Sequence, residues 1–123
     1  MILALLLTVQ DVPAAAPQAE EEITVIARKL KAWRGGGKLR KGVFTCKTRN
    51  STGDREIDAI GCAAMQVCFP RYMPRFEVVH ADKALAASAR EHANAVINAE
   101  LTACFGAEHE AGTKALADKR AGA

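Results

Sequence analysis

The stretch STGDREIDAIGCAAMQVCF, residues 51–69, carries the strongest structural signals in the chain. Ser51 and Asp54 match the S-x-x-D pattern that caps helix N-termini. Apolar residues then recur at the spacing of one helix face, at Ile57, Ile60, Ala64 and Cys68. Pro70 follows and is expected to stop the element. The stretch therefore predicts an amphipathic helix from Asp54 to Phe69.

Two cysteines within this helix restrict the disulfide pairing. Cys62 and Cys68 are six positions apart, which on a helix separates them by about 120° around the axis and about 9 Å along it. A bridge needs Cα atoms about 4.4–6.8 Å apart, so these two do not pair with each other. Cys46 must therefore pair with one of these two cysteines and Cys104 with the other, which leaves two possible connectivities. Cys46 with Cys62 and Cys68 with Cys104 are favoured, because each pair joins elements that neighbour one another along the chain.

The four cysteines are expected to form disulfides. The chain has one Trp, one Tyr and four Phe, so its core should be small and covalent links would compensate. Fifteen, five and thirty-five residues separate successive cysteines. Zinc ribbons and thioredoxin-like redox sites use C-x-x-C, which is missing here. We therefore predict two disulfides, no metal site and no cofactor.

The N-terminus has the composition of a secretory leader. Residues 1–9, MILALLLTV, form an apolar run, and an alanine- and proline-rich segment follows and ends at Ala19. A membrane-spanning helix needs about 20 apolar residues, more than this run supplies, and no lysine or arginine precedes it. Residues 1–19 are interpreted as a signal-peptide-like leader. With the even cysteine count, they predict a periplasmic or secreted protein without a transmembrane span in its mature form.

The segment ITVIARKLKAWR, from Ile23 to Arg34, is compatible with two structures. As a helix it places Ile23, Ile26, Leu30 and Trp33 on one face, and the following glycines would end it. As a strand it uses the β-branched cluster ITVI, and the glycines become a turn into LRKGVFTCKTR. The strand is favoured because the second run is strand-like and needs a partner. The expected result is a glycine-linked β-hairpin that carries Cys46.

Charge is concentrated in this hairpin. No acid occurs between Ile23 and Gly53, and nine of the seventeen bases lie there. They are Arg28, Lys29, Lys31, Arg34, Lys38, Arg40, Lys41, Lys47 and Arg49. If Arg28 and Lys47, or Lys31 and Lys41, share a face, that face attracts anions; the alternative is a solvated strand whose lysines discourage edge pairing. Trp33 could stack on a ligand or cover the core.

The chain after Phe69 is predicted to contain an irregular segment, one further helix and a C-terminal tail. Pro70 and Pro74 bracket an irregular segment, and residues 69–76 are expected to form a loop. Asp82 is a plausible N-cap for an alanine-rich helix of about 20 residues, which ends near Gly106. We expect an α+β fold: a two-stranded antiparallel β-hairpin packed on two to three helices with two disulfides. Residues 20–105 would form one domain and residues 106–123 a flexible or partly helical tail.

Catalytic signals are weak. His80, His92 and His109 have carboxylates nearby in sequence at Glu91, Glu108 and Glu110, but no H-E-x-x-H motif, phosphate loop or nucleophile motif occurs. The acids Asp54, Glu56 and Asp58 are better explained by helix capping than by acid–base catalysis. We therefore predict no catalytic residues, and a zinc-dependent hydrolase is the least favoured alternative.

Residues 22–69 contain the three segments EITVIARKLKAW, FTCKTRNSTGD and IDAIGCAAMQVC. Together they resemble a family of small exported Gram-negative bacterial proteins of unknown function. The resemblance implies a periplasmic or secreted location and no activity. The favoured function is a non-enzymatic binding module whose basic hairpin contacts an anionic envelope lipid, a glycan or an acidic protein, with nucleic acid not expected in vivo. The alternative is a structural or inhibitor-like interaction domain that presents residues 69–76 as a loop.

Overall fold

The computed structural model describes residues 15–122, and within them it contains three helices and two strands. Their order is α1 (Ala15–Ala32), β1 (Arg34–Arg40), β2 (Val43–Asn50), α2 (Arg55–Ala81) and α3 (Ala87–Ala121). The strands pair antiparallel in a two-stranded sheet. The predicted α+β fold with two disulfides is confirmed. Of the expected leader, residues 1–14 lie outside the described residues and residues 15–19 form the first turns of α1.

The predicted strand at Ile23 to Arg34 is wrong, because the chain is helical up to Ala32. Ile26 and Leu30 are buried in α1, and Trp33, directly after the helix, is only 6% exposed. A strand would place Trp33 on the opposite face from Ile26 and Leu30, since side chains alternate along it. The helix brings all three to one side, and this common burial outweighs the strand preference of the β-branched cluster.

The hairpin therefore begins later in the chain than the sequence indicates, directly after α1. β1 is the glycine stretch RGGGKLR itself, and the turn is formed by Lys41 and Gly42, whose φ angles of 52° and 76° fit a two-residue type I′ turn. Gly35 is needed in the strand because the Trp33 ring occupies the space where a side chain would lie. The inner face of β2 packs on α2 through the rings of Phe44 and Phe69, whose centroids are 4.7 Å apart.

Both disulfides attach neighbouring elements to α2. Cys46 of β2 is bonded to Cys62, and Cys68 is bonded to Cys104 of α3, the pairing that chain order favours. The predicted helix face is confirmed, because Ile57, Ile60, Ala64 and Cys68 are all buried. The cap is Asp54 itself, whose carboxylate accepts hydrogen bonds from the backbone N–H groups of Glu56 and Ile57.

The expected stop at Pro70 is wrong, since α2 continues through Pro70 and Pro74 to Ala81. Each proline removes one backbone hydrogen bond from the helix. Packing on α3 compensates: Tyr72 and Phe76 lie against a buried cluster that contains Cys68 and Leu101. The expected loop at residues 69–76 is therefore helical.

The connection to α3 differs from the sequence expectation as well. Asp82 is the C-cap of α2, whereas α3 begins at Ala87 after the N-cap Ala86. The Arg90 guanidinium donates to the carbonyl oxygens of Val79 and Asp82, each at 2.7 Å. This arginine satisfies terminal carbonyls of α2 that lack a partner within the helix, and it joins the two helices at their corner.

Residues beyond Gly106, where the sequence indicated a flexible or partly helical tail, continue α3 to Ala121. Thr113, Leu116 and Ala117 are buried, and the last two belong to a core cluster with Ile26, Leu30, Trp33, Ile57 and Ile60. Small residues make this packing possible, because a side chain at Gly112 would meet Ile60. The C-terminal third of α3 thus completes the main core against α1 and α2.

An ion-pair cluster joins the end of α3 to the start of α2. Arg120 donates to the capping carboxylate of Asp54 at 2.7 Å, and Lys119 donates to Glu56 at 2.8 Å. Burial raises the pKa of Asp54, but hydrogen bonds from Arg120 and from backbone N–H groups outweigh burial and place this pKa below its ordinary value of 3.8. The Lys119 hydrogen bond lowers the pKa of Glu56 below 4.5. The cluster therefore favours the ionised form of both carboxylates, Asp54 and Glu56, over the protonated form.

Arg120→Met is expected to destabilise the fold at neutral pH and to do so less at acidic pH. Since the Asp54 pKa is lower in the folded chain, the ion pair contributes fully above the ordinary value of 3.8 and its contribution is lost as the pH falls through the folded value. Urea unfolding of the variant and the wild type across this pH range measures the difference. Arg71→Met, an exposed base outside the cluster, is the control. A stability difference for Arg120→Met that does not change with pH would contradict the linkage.

Candidate functional site

The hairpin presents four of the nine predicted bases on one face. In the observed register, Lys38 is opposite Thr45, Gly36 is opposite Lys47 and Arg40 is opposite Val43. Directly opposed residues share a face of the sheet, and Phe44 and Cys46 occupy the inner face. The outer face therefore carries Lys38, Arg40, Lys47 and Arg49, all exposed. These four residues are called the basic face below.

A glycine and an exposed valine accompany these bases on the same face of the sheet. Arg49 extends across Gly36, where a Cβ would lie 2.9 Å from the arginine Nε. Val43, next to the turn, is 65% exposed on the same face. A cationic surface with an exposed apolar residue near its tip results.

The other five bases lie elsewhere. Arg28, Lys29 and Lys31 are exposed on α1, Arg34 begins β1, and Lys41 is in the turn. The pairings considered from the sequence, Arg28 with Lys47 and Lys31 with Lys41, assumed a strand at residues 23–34 and do not occur in the sheet. Arg34 instead donates from Nη1 to the carbonyl oxygens of Lys31 and Trp33, both at 2.7 Å, and so ends α1.

Trp33 does not belong to the basic face. Its ring is buried between the hairpin and α2, and its indole N–H donates to the Thr48 hydroxyl at 3.0 Å. It therefore covers the core and offers no exposed ring to the basic face for stacking on a sugar or a base.

The three histidines considered from the sequence lie in different surroundings. His80 is exposed at the end of α2, and His92 is exposed near the start of α3. His109 is half-buried beside Phe105, and burial lowers its pKa. Among the described residues, no three His, Cys, Asp or Glu side chains lie close enough together to hold a metal ion.

A cavity of about 630 Å³ opens between α1, the start of β1, Met65 of α2 and the C-terminal half of α3. Its walls are mainly apolar and include Ile23, Ala27, Leu30, Trp33, Met65 and Phe105. Polar groups lie around them: Lys31, Arg34, His109, Glu110, Thr113 and Lys114. The volume is within the range of small-molecule sites, roughly 300–1,000 Å³.

Sequence reasoning did not find this cavity. Its two main walls come from the segment expected to be a strand and from the segment expected to be a tail. The one available signal was the helical spacing of Ile23, Ile26, Leu30 and Trp33, which belongs to the less favoured interpretation of that segment.

No protein-family model, curated protein or solved structure matches the chain. Among residues 15–122, no helix is both long enough and apolar enough to cross a membrane.

Proposed function

We propose that the protein is an exported, non-enzymatic binding module that attaches to an anionic lipid surface through its basic face. The observation that supports this most strongly is the register of the hairpin, which places Lys38, Arg40, Lys47 and Arg49 together on one solvent-exposed face. No acid occurs from Ile23 to Gly53 to neutralise them. Four like charges on neighbouring positions repel one another, and an anionic surface would relieve this repulsion.

The charge of the basic face and its one exposed apolar residue favour a lipid surface over the other anionic partners. Lysines and arginines near an anionic membrane contribute about 1 kcal/mol each. Val43 could enter the headgroup layer beside them. A glycan site would gain from an exposed aromatic ring, but Trp33 is buried. The interaction-domain alternative loses its premise, because residues 69–76 are helical.

Two observations support export. The four cysteines form two disulfides with no free cysteine, and such bonds persist in oxidising compartments. The apolar run at residues 1–9 and the alanine- and proline-rich segment after it have the composition of a secretory leader. We propose a periplasmic or secreted location on these grounds.

Neutralising two bases of the basic face should weaken lipid binding strongly. Lys38→Gln with Lys47→Gln is expected to reduce binding to phosphatidylglycerol-containing vesicles about 30-fold, the equivalent of about 2 kcal/mol. Vesicle co-sedimentation at increasing salt concentration measures this, and the remaining binding should weaken as salt increases. Arg71→Gln with Lys83→Gln removes the same charge from exposed positions elsewhere and is the control.

Three results would contradict the lipid proposal. The first is an equal loss of lipid binding in the control variant and the hairpin variant, which would show that binding depends only on net charge. The second is binding to uncharged phosphatidylcholine vesicles that matches binding to the anionic ones. The third is binding to an anionic polysaccharide or to polyglutamate that exceeds lipid binding and depends on Lys38 and Lys47, which would assign the basic face to a glycan or an acidic protein.

A further inference from the structure

The cavity beside α1 is a second site, separate from the basic face. None of the four residues of the basic face lines it. Its apolar walls come from α1, α2 and α3, and its volume is about 630 Å³. A space of this size with mainly apolar walls fits the apolar body of a small molecule.

Bases dominate the charged groups around the cavity. Lys31, Arg34 and Lys114 lie there with one carboxylate, Glu110. Lys114 also donates to Asp118 at 3.0 Å, which offsets its charge. Lys31 and Arg34 therefore set a positive potential at the α1 side of the opening, and the position of the Arg34 guanidinium is fixed by hydrogen bonds from Nη1 to the carbonyl oxygens of Lys31 and Trp33.

We propose that this cavity binds a single small amphipathic anion, with its apolar body against Ala27, Leu30 and Phe105 and its carboxylate or phosphate head near Lys31 and Arg34. Charge complementarity selects the head, because arginine and lysine form strong charge-assisted hydrogen bonds with such oxygens. The apolar walls select the body, because they offer few hydrogen-bonding partners. His109 adds a polar group beside Phe105, and burial lowers its pKa and so disfavours its charged form.

Trp33 makes occupancy directly measurable. It is the only tryptophan and it lines the cavity, so its emission reports on the site. The full chain is titrated with dodecanoate below its micelle concentration, with dodecyl phosphate, and with dodecyltrimethylammonium, which has the same tail and a cationic head. We expect saturable changes in emission with the two anions and binding at least about tenfold weaker with the cation. The comparison of the two anions decides between a carboxylate and a phosphate head.

Two variants separate the roles of head and body. Lys31→Glu, at an exposed position, should weaken dodecanoate binding about tenfold and bring the cation's affinity close to that of dodecanoate. Ala27→Phe should fill the cavity and weaken all three ligands; Ala27→Leu is the milder version if the first does not fold. Lys83→Glu is the charge control. Lys83 does not line the cavity and is distant in sequence from the residues that do, so this variant should bind dodecanoate as the wild type does.

Several results would overturn the proposal. They are the absence of a saturable change with either anion, equal binding of anion and cation, and unchanged binding in folded Ala27→Phe or Ala27→Leu. Because none of these readouts involves vesicles, they stand or fall independently of lipid binding by the basic face.

Discussion

Trp33→Ala is expected to lower the free energy of unfolding by about 3–5 kcal/mol. Trp33 is 6% exposed, and its ring packs so closely on α2 that a Cβ at Gly61 would lie 2.5 Å from its Cδ2 atom. Its indole N–H also donates to Thr48 of the hairpin. Removal of this one side chain leaves a void where α1, the hairpin and α2 meet. Urea unfolding followed by far-ultraviolet circular dichroism measures the loss, because the variant has no tryptophan emission.

Two further variants divide this effect into packing and hydrogen bonding. Thr48→Val removes the acceptor and should cost about 0.5–1.5 kcal/mol, the usual contribution of one hydrogen bond. Gly61→Ala inserts a methyl group against the ring and should cost about 1–3 kcal/mol by overpacking. A loss below about 1 kcal/mol for Trp33→Ala would contradict the central position of the ring, since a large buried aromatic residue costs more than this to remove.

Removal of the Cys68–Cys104 disulfide is expected to have a similarly large effect. The two cysteines are 36 positions apart. A cross-link that closes a loop of that length stabilises the fold by about 4 kcal/mol, because it restricts the conformations of the unfolded chain. Both cysteines are buried, so the double variant Cys68→Ala with Cys104→Ala removes the bond without leaving a free thiol or a buried hydroxyl. Urea unfolding under non-reducing conditions measures the loss.

The second disulfide provides the matched comparison. Cys46 and Cys62 are 16 positions apart, so Cys46→Ala with Cys62→Ala should cost about 3 kcal/mol, somewhat less than the longer bridge. Mass spectrometry with and without reductant establishes that each double variant retains the other bond. If the shorter bridge contributed clearly more than the longer one, native-state packing around Cys46 and Met65, and not loop closure, would dominate.

Parts of the fold follow from local chemistry and were predictable. The start of α2 depends on the carboxylate of Asp54, which acts within its own first turn, and its buried face depends on a spacing visible in the sequence. The same helix excludes one of the three disulfide connectivities, because its geometry prevents Cys62 from reaching Cys68, and chain order favoured the observed one of the remaining two. The cluster of bases was visible too, although only the register shows that four of them share a face.

Other parts depend on contacts between distant segments. The β-branched cluster of α1 favours a strand locally, but the helix is stabilised by Leu116 and Ala117, more than eighty positions away. Pro70 favours a helix end, but the bond between Cys68 and Cys104 and the packing of Tyr72 hold both sides of it in one helix. In each case a local preference of a few kcal/mol is smaller than the burial that the alternative structure achieves.

Residues 51–69 thus determined by themselves where a helix begins, which face it buries and that Cys62 and Cys68 do not pair with each other, because capping, periodicity and helix geometry act over one or two turns. Tertiary structure alone decided that this helix passes through two prolines, that the glycines form a strand and that residues beyond Gly106 enclose a cavity with α1. These outcomes depend on burial shared between segments far apart in the chain, and neither segment shows that burial in its own sequence.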